Sequence, residues 1–237
     1  MPNPYFEFKR FTIRHDKCAM KVGTDGVLLG AWADASGCQT ILDVGTGSGL
    51  IAIMLAQRYD ESARITAIDI DPDAILQTNE NVRESPFTNI VCKEISLQEL
   101  AVECRDTYDH IVSNPPYFAS SLKSPSEKRT LARHTDTLPV EDLIRYSEYL
   151  LSDKGRLSFI YPYQEKYFLL ELAEKYGLYP TRLTEVLPTP ASEPKRVLME
   201  LSRMPQPSVC NQLVIEVSRH VYSEEFAELA KDFYLKL

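Results

Sequence analysis

From residue 40 onward, short apolar runs alternate with helical patterns, which predicts an α/β fold. The expected architecture is a mostly parallel twisted sheet with helices on both faces, right-handed crossovers and an antiparallel strand near the C-terminal end. Two observations carry that prediction. The runs Thr40–Val44, Arg64–Asp69, Asn89–Lys93 and Tyr108–Ser113 are strand-length and separated by helix-length stretches. The first of them also ends in a glycine-rich turn that opens a helix.

The elements follow in order. Residues 1–35 form a basic segment with Lys9, Arg10, Arg14, Lys17 and Lys21, ending in the apolar run Val27–Trp32, expected as a short helix packed beneath the core. After the first strand, Leu50, Ile51, Ile53, Met54 and Leu55 give the buried side of a helix near 48–58. The second strand leads to Asp71-Pro72, an N-cap followed by proline at the first helical position. The fourth strand runs into Asn114, and residues 119–138, rich in Ser and Lys, read as a loop beside a strand end, where loops commonly serve function. A helix near 139–151, a strand at 155–161 and a helix near 163–176 come next. Strands near 180–187, 196–203 and 213–217 follow, then a terminal helix from Ser223 to Lys236.

With 237 residues the chain suits one domain, residues 1–237, in which the basic segment precedes a core over 36–237. Its net charge of −8 lacks the basic footprint of a general nucleic-acid binder, so any RNA contact is expected from local patches. Five scattered cysteines, none in a C-x-x-C spacing, argue against a zinc site or a disulfide framework and for a reducing cytoplasm. No metal is expected. No apolar stretch suits a signal peptide or a membrane span.

The turn Asp43-Val-Gly45-Thr46-Gly47-Ser-Gly49 joins strand to helix, where glycines let a ligand approach the backbone. The dinucleotide fingerprint would need glycine at Leu50, and a phosphate-binding loop would need a following lysine; both are missing. The remaining D-x-G-x-G-x-G pattern suits S-adenosylmethionine, which has no pyrophosphate. Asp69 closes the second strand where a carboxylate can accept both hydrogen bonds of a ribose diol, with Ile70 beside it; the same arrangement serves NAD. Glu94, after the third strand, is a candidate for the adenine edge of the cofactor, and Thr24 and Asp25 for its methionine end; a helix cap explains the latter two as well.

Asn114-Pro115-Pro116-Tyr117 follows the fourth strand. By itself it is compatible with an ordinary turn. Its amide and the carbonyls beside the prolines can also accept hydrogen bonds from an NH2 group, while Tyr117, or Phe118 behind it, can stack on a flat substrate. Asn114 then neighbours cofactor and acceptor alike.

These residues resemble the class I S-adenosylmethionine-dependent methyltransferases with a Rossmann-like fold, in the amino-methylating group carrying N-P-P-Y, over roughly residues 40–160. Phe6–Phe11, His15–Trp32, Tyr222–Phe226 and Asp232–Leu235 narrow the resemblance to the bacterial tRNA-valine adenine-N6 methyltransferase family, which modifies the adenine at nucleotide 37 beside the anticodon. The resemblance implies that Asp43 to Gly49 and Asp69 hold the cofactor and that Asn114 to Tyr117 hold the target adenine. Glu94 stands where Asp is usual. It implies an anticodon stem-loop as partner, with Lys9, Arg10, Arg14, Lys123, Lys128, Arg129 and Arg133 as candidates for RNA phosphates, helped by Lys195 and Arg196. Oligomeric state is not legible.

Three other functions fit parts of the pattern. A protein glutamine-N5 methyltransferase would use the same motif, but usually carries a helical domain in front, and only about 40 residues precede the first strand here. An rRNA guanine-N2 methyltransferase is a second. A non-catalytic cofactor- or RNA-binding module would be expected to have lost Asn114 or the glycines, and neither is lost.

Overall fold

The computed structural model describes residues 3–18, 20–59, 63–104, 108–117 and 138–237. Its centre is an eight-stranded sheet, ordered β10-β8-β9-β7-β6-β3-β4-β5. The strands are β3 (Thr40–Val44), β4 (Arg64–Asp69), β5 (Ile90–Glu94), β6 (Tyr108–Ser113), β7 (Leu151–Pro162), β8 (Tyr179–Leu187), β9 (Arg196–Ser202) and β10 (Val209–Val214). Strands β3 to β7 pair in parallel, and β10 is parallel to β8. The expected antiparallel strand is β9, which runs against both β7 and β8.

Alternate residues of β3 feed two cores, as the period of a strand requires. Ile41 packs with α1 (Thr24–Trp32), α2 (Leu50–Tyr59) and the terminal α7 (Glu224–Ala230) on one face. Leu42 packs with α4 (Leu97–Glu103), α5 (Val140–Leu150) and α6 (Lys166–Lys175) on the other. Helix α3 (Pro72–Glu84) lies against β4 and β5, and starts as expected, with the Asp71 side chain accepting from the backbone of Asp73. Trp32 is buried, its indole N–H donating to Thr184 at 2.9 Å under the Arg182 guanidinium.

Several elements depart from the sequence expectations. The N-terminal segment contains a hairpin of β1 (Tyr5–Glu7) and β2 (Thr12–Arg14) ahead of α1. Helix α4 is not among the elements expected from sequence, although Ser96 and Glu99 form a reciprocal capping box at its start. The strand expected at 213–217 is β10, shifted earlier because its register is set by pairing with β8; from Glu216 the chain enters a separate hairpin of β11 (Glu216–Ser218) and β12 (Val221–Tyr222). The terminal helix stops at Ala230 instead of Lys236. There Phe233 is buried and Tyr234 bridges to Phe8, tying the C-terminus to the N-terminal hairpin.

Candidate active site

Register brings the two motifs together. In the parallel pair β3–β6, Val44 lies opposite Ser113, so the chain leaves the sheet at Gly45 and at Asn114 side by side. The Ser113 hydroxyl donates to the Val44 carbonyl at 2.9 Å and ties these two strand ends together. Both turns thus sit at the carboxyl ends of adjacent parallel strands, the usual ligand position in such sheets.

The glycine turn is held almost wholly by its own backbone and nearby acids. Gly45 and Thr46 donate their N–H groups to the Ile68 carbonyl at 2.9 Å each. Gly47 donates to Asp69 at 2.9 Å, and Asp69 also accepts from Asp71 N–H at 3.0 Å. The backbone is left-handed at Gly45 (φ 69°) and Gly47 (φ 57°), and a Cβ at either would meet no atom within 4 Å, so space lies directly over this backbone. Gly49 serves packing: a Cβ there would stand 2.8 Å from Cγ2 of Thr78. Thr78 and Asn81 of α3 complete the support, donating to the carbonyls of Gly47 and Ser48 at 2.7 and 2.8 Å. Polar residues on the buried stripe of an amphipathic helix are the sequence signal for these two supports, which lie outside the motifs.

Asp43 sits beneath the turn instead of facing the open space. It is fully buried, accepting from the Thr46 hydroxyl at 2.7 Å and from Ala52 N–H at 3.2 Å. Burial pushes its carboxyl up to about 7, against the pull of those two donors. Asp69 and Glu94 end neighbouring strands in direct register, with Glu94 and Ile70 exposed beside the turn.

Around Asn114 the construction is different, because side chains from four distant stretches converge. The Tyr117 hydroxyl lies 2.9 Å from the Asn114 side-chain oxygen and 3.0 Å from Asp25. Asp25 also pairs with the Arg196 guanidinium at 2.8 Å. That guanidinium lies 4.9 Å from the Tyr117 ring centroid, and Tyr161 meets the ring edge-on at 5.3 Å. Burial, with Asp25 adding to it, raises the Tyr117 phenol well above its ordinary value, so the hydroxyl stays protonated and donates. Tyr117, expected from sequence to stack on a flat substrate, thus has a cation beside its ring. Asp25 faces this network, and Thr24 is exposed at the start of α1.

The methyltransferase small domain family matches residues 23–179, which span the glycine turn and the Asn114–Tyr117 turn. This chain belongs to that family. A Parabacteroides distasonis protein named tRNA1(Val) (adenine(37)-N6)-methyltransferase is 55% identical to it over the full length of both chains. A Phocaeicola vulgatus protein of the same name is 50% identical, again over the full length of both. Among solved structures, a predicted O-methyltransferase from Agrobacterium tumefaciens superposes with a TM-score of 0.67 at 21% identity, over 88% of this chain and 96% of that one, a likeness of fold.

In this methyltransferase the basic residues expected to meet RNA divide into two groups. Lys9 donates to the Lys231 carbonyl at 2.6 Å, Arg10 sits 5.2 Å above the Phe87 ring, and Arg14 pairs with Glu84 at 3.1 Å, all three exposed on the N-terminal hairpin. Phe118, Lys123, Lys128, Arg129 and Arg133 lie outside the described residues. His15 is hydrogen-bonded to the Asn3 carbonyl and His110 to Ser158, and burial drives His110 down to about 3, so it is neutral. Among the described residues, no helix is long and apolar enough to cross a membrane, and no group of His, Cys, Asp and Glu comes together to hold a metal.

Proposed function

We propose that this methyltransferase transfers a methyl group from S-adenosylmethionine to the exocyclic N6 of an adenine in tRNA, at nucleotide 37 beside the anticodon of a valine tRNA. The observation that carries the reading is the juxtaposition of the glycine turn with Asn114 at the ends of β3 and β6. The names of relatives up to 55% identical over their full length support the substrate. The compartment consistent with it is the cytoplasm, where tRNA is modified.

The cofactor fits the residues present. Open space over Gly45 and Gly47 admits a ligand against the backbone. The Asp69 carboxylate has acceptor capacity beyond its two N–H partners for a ribose diol, and exposed Glu94 beside it suits the adenine edge. Asp43 stiffens the turn from below. When bound, S-adenosylmethionine supplies an electrophilic methyl on a sulfonium.

The protein's task is then to present the amine. An adenine N6 is a weak nucleophile because its lone pair is delocalised into the ring. The Tyr117 hydroxyl shares its one proton between the Asn114 oxygen and Asp25; the Asn114 oxygen keeps a lone pair that accepts an N–H of the amine, and the Pro115 carbonyl accepts the second. Two acceptors bias the nitrogen toward tetrahedral geometry and stabilise positive charge developing on it, by orientation and electrostatics with no strong general base. A base entering beside Asn114 meets the Tyr117 ring, with the Arg196 guanidinium 4.9 Å from the ring centroid. An anticodon-loop base is single-stranded, so bringing it out costs less than from a duplex.

The test is to incubate purified enzyme and labelled cofactor with total RNA and total protein from a strain lacking the gene, then map the label. Label at N6 of adenine 37 in a valine tRNA is expected. Label on protein glutamine or on guanine would overturn the reading.

A further inference from the structure

On the same carboxyl rim of the sheet, on the β8 side of Asn114, lies a cleft of about 510 Å³. Sites for small ligands commonly span roughly 300–1,000 Å³, so a nucleotide fits. Its floor is apolar, from Leu28, Val186 and Ile215, and one wall is aromatic. There the partly buried Tyr222 and Tyr234 pack on the core residue Phe226, Tyr222 standing 4.8 Å from Phe226 at 32° and 6.4 Å from Tyr234 at 16°, so that Tyr222 and Tyr234 face nearly the same way. Lys195 and Arg196 supply positive charge at this place on a chain whose net charge is −8.

We propose that this cleft is a subsite for a nucleotide adjacent to the target adenine on the same RNA strand, its base against Tyr222 and its phosphate at Lys195. The inference rests on the tRNA reading above and deepens it. Asp25 and Arg196 line the cleft and also contact Tyr117, so the cleft and the methyl-acceptor turn share a wall. A strand that places one base at Asn114 carries its neighbour past that shared wall. Single-stranded RNA is recognised by stacking bases on aromatic rings, with cations tracking the backbone, and the cleft offers both. Thr189 and Glu216 also line it and can meet the polar edge of a base. Tyr222 comes from the β11–β12 hairpin, Tyr234 from the residues after α7, Lys195 from the β8–β9 connection and Arg196 from the start of β9, none of which the glycine turn uses.

The test uses a synthetic anticodon stem-loop of a valine tRNA, intact or with an abasic site at either neighbour of adenine 37, and steady-state methylation by the full-length enzyme. One of the two abasic substitutions is expected to raise KM roughly tenfold, the size of one lost base–aromatic stack, with kcat nearly unchanged. Tyr222→Ala should raise KM on intact RNA by a similar factor and make that abasic substitution silent. Because Tyr222 also packs against Phe226, exposed Lys195→Ala serves as a second variant; it should raise KM severalfold and flatten the salt dependence. KM unchanged within twofold for both abasic RNAs overturns the subsite, as does full additivity of Tyr222→Ala with the abasic change. Methylation of the intact stem-loop in either case leaves the tRNA reading standing. If the intact stem-loop is not methylated, the same abasic changes are read in whole valine tRNA, and failure to methylate that tRNA overturns both.

Discussion

The glycine turn and the Asn114 turn leave neighbouring strands at the same height, yet they are built in opposite ways. The first is local and made of backbone: Ile68, Gly47 and Asp69 close it through N–H bonds, and the acids that matter end the strands flanking it. The second is long-range and made of side chains: Asp25, Asn114, Tyr117, Tyr161 and Arg196 meet only because α1, β6, β7 and β9 reach one rim. The difference matches the tasks proposed for them. Holding a cofactor of fixed shape suits a rigid backbone cradle. Holding a base delivered by a large RNA suits side chains gathered from several elements around one aromatic ring.

Breaking the acceptor turn should have the largest effect. Asn114→Ala is expected to lower single-turnover methylation by roughly 10²–10³-fold, as for loss of one preorganised polar group at a developing charge, while calorimetric cofactor affinity stays within a few-fold. Equal loss of binding and turnover would make Asn114 a structural residue and erase the contrast between the two turns.

Breaking the cofactor turn should reverse the pattern. Asp69→Ala is expected to weaken cofactor binding by roughly 10–100-fold, the range for a lost charged hydrogen-bond partner, with a smaller fall in kcat at saturation. A variant that binds normally but turns over slowly would move Asp69 out of the cradle.

The buried acid beneath the turn sharpens the comparison through pH. Asp43 has its folded value raised to about 7, above that of an unfolded aspartate. The folded form therefore holds its proton more tightly, and the associated stability is complete below the unfolded value and lost as pH rises toward and through 7. Asp43→Asn keeps an acceptor for Thr46 and Ala52 without the titration. Its unfolding free energy from urea titration should rise relative to wild type between pH 5 and pH 7.5, by on the order of 2 kcal/mol. Parallel profiles for the two proteins would refute this role.

The smallest effect is expected where the network is partly wet. The side chains of Asp25 and Arg196 are 26% and 32% exposed, so a double-mutant cycle of Asp25→Asn and Arg196→Ala on kcat/KM should give a coupling of about 1 kcal/mol. No coupling would mean that the pair does not hold Tyr117 in place.

The sequence made the local region legible. Strand edges at Arg64–Asp69 and Tyr108–Ser113, and the start of α3 at Asp71-Pro72, are fixed by neighbours within a few residues, and each was readable as such. Polar, edge-strand β10 was misplaced because Val209 to Gln212 are exposed and pair only with β8, leaving no apolar periodicity to read. The early end of α7 was hidden for a related reason: a burial partner, Phe8, lies at the other end of the chain.

By itself the sequence determined the parallel α/β alternation, the glycine turn with its flanking acids, and the chemistry available to Asn114-Pro-Pro-Tyr117. Each depends on residue type and short spacing, which the chain carries locally. Only the tertiary structure decided that Asp43 lies under the turn, that Arg196 covers the Tyr117 ring, and that a cleft shared with Asp25 opens beside it. Those outcomes depend on strand order and register, which bring residues far apart in sequence within hydrogen-bond distance, and no local pattern encodes such a meeting.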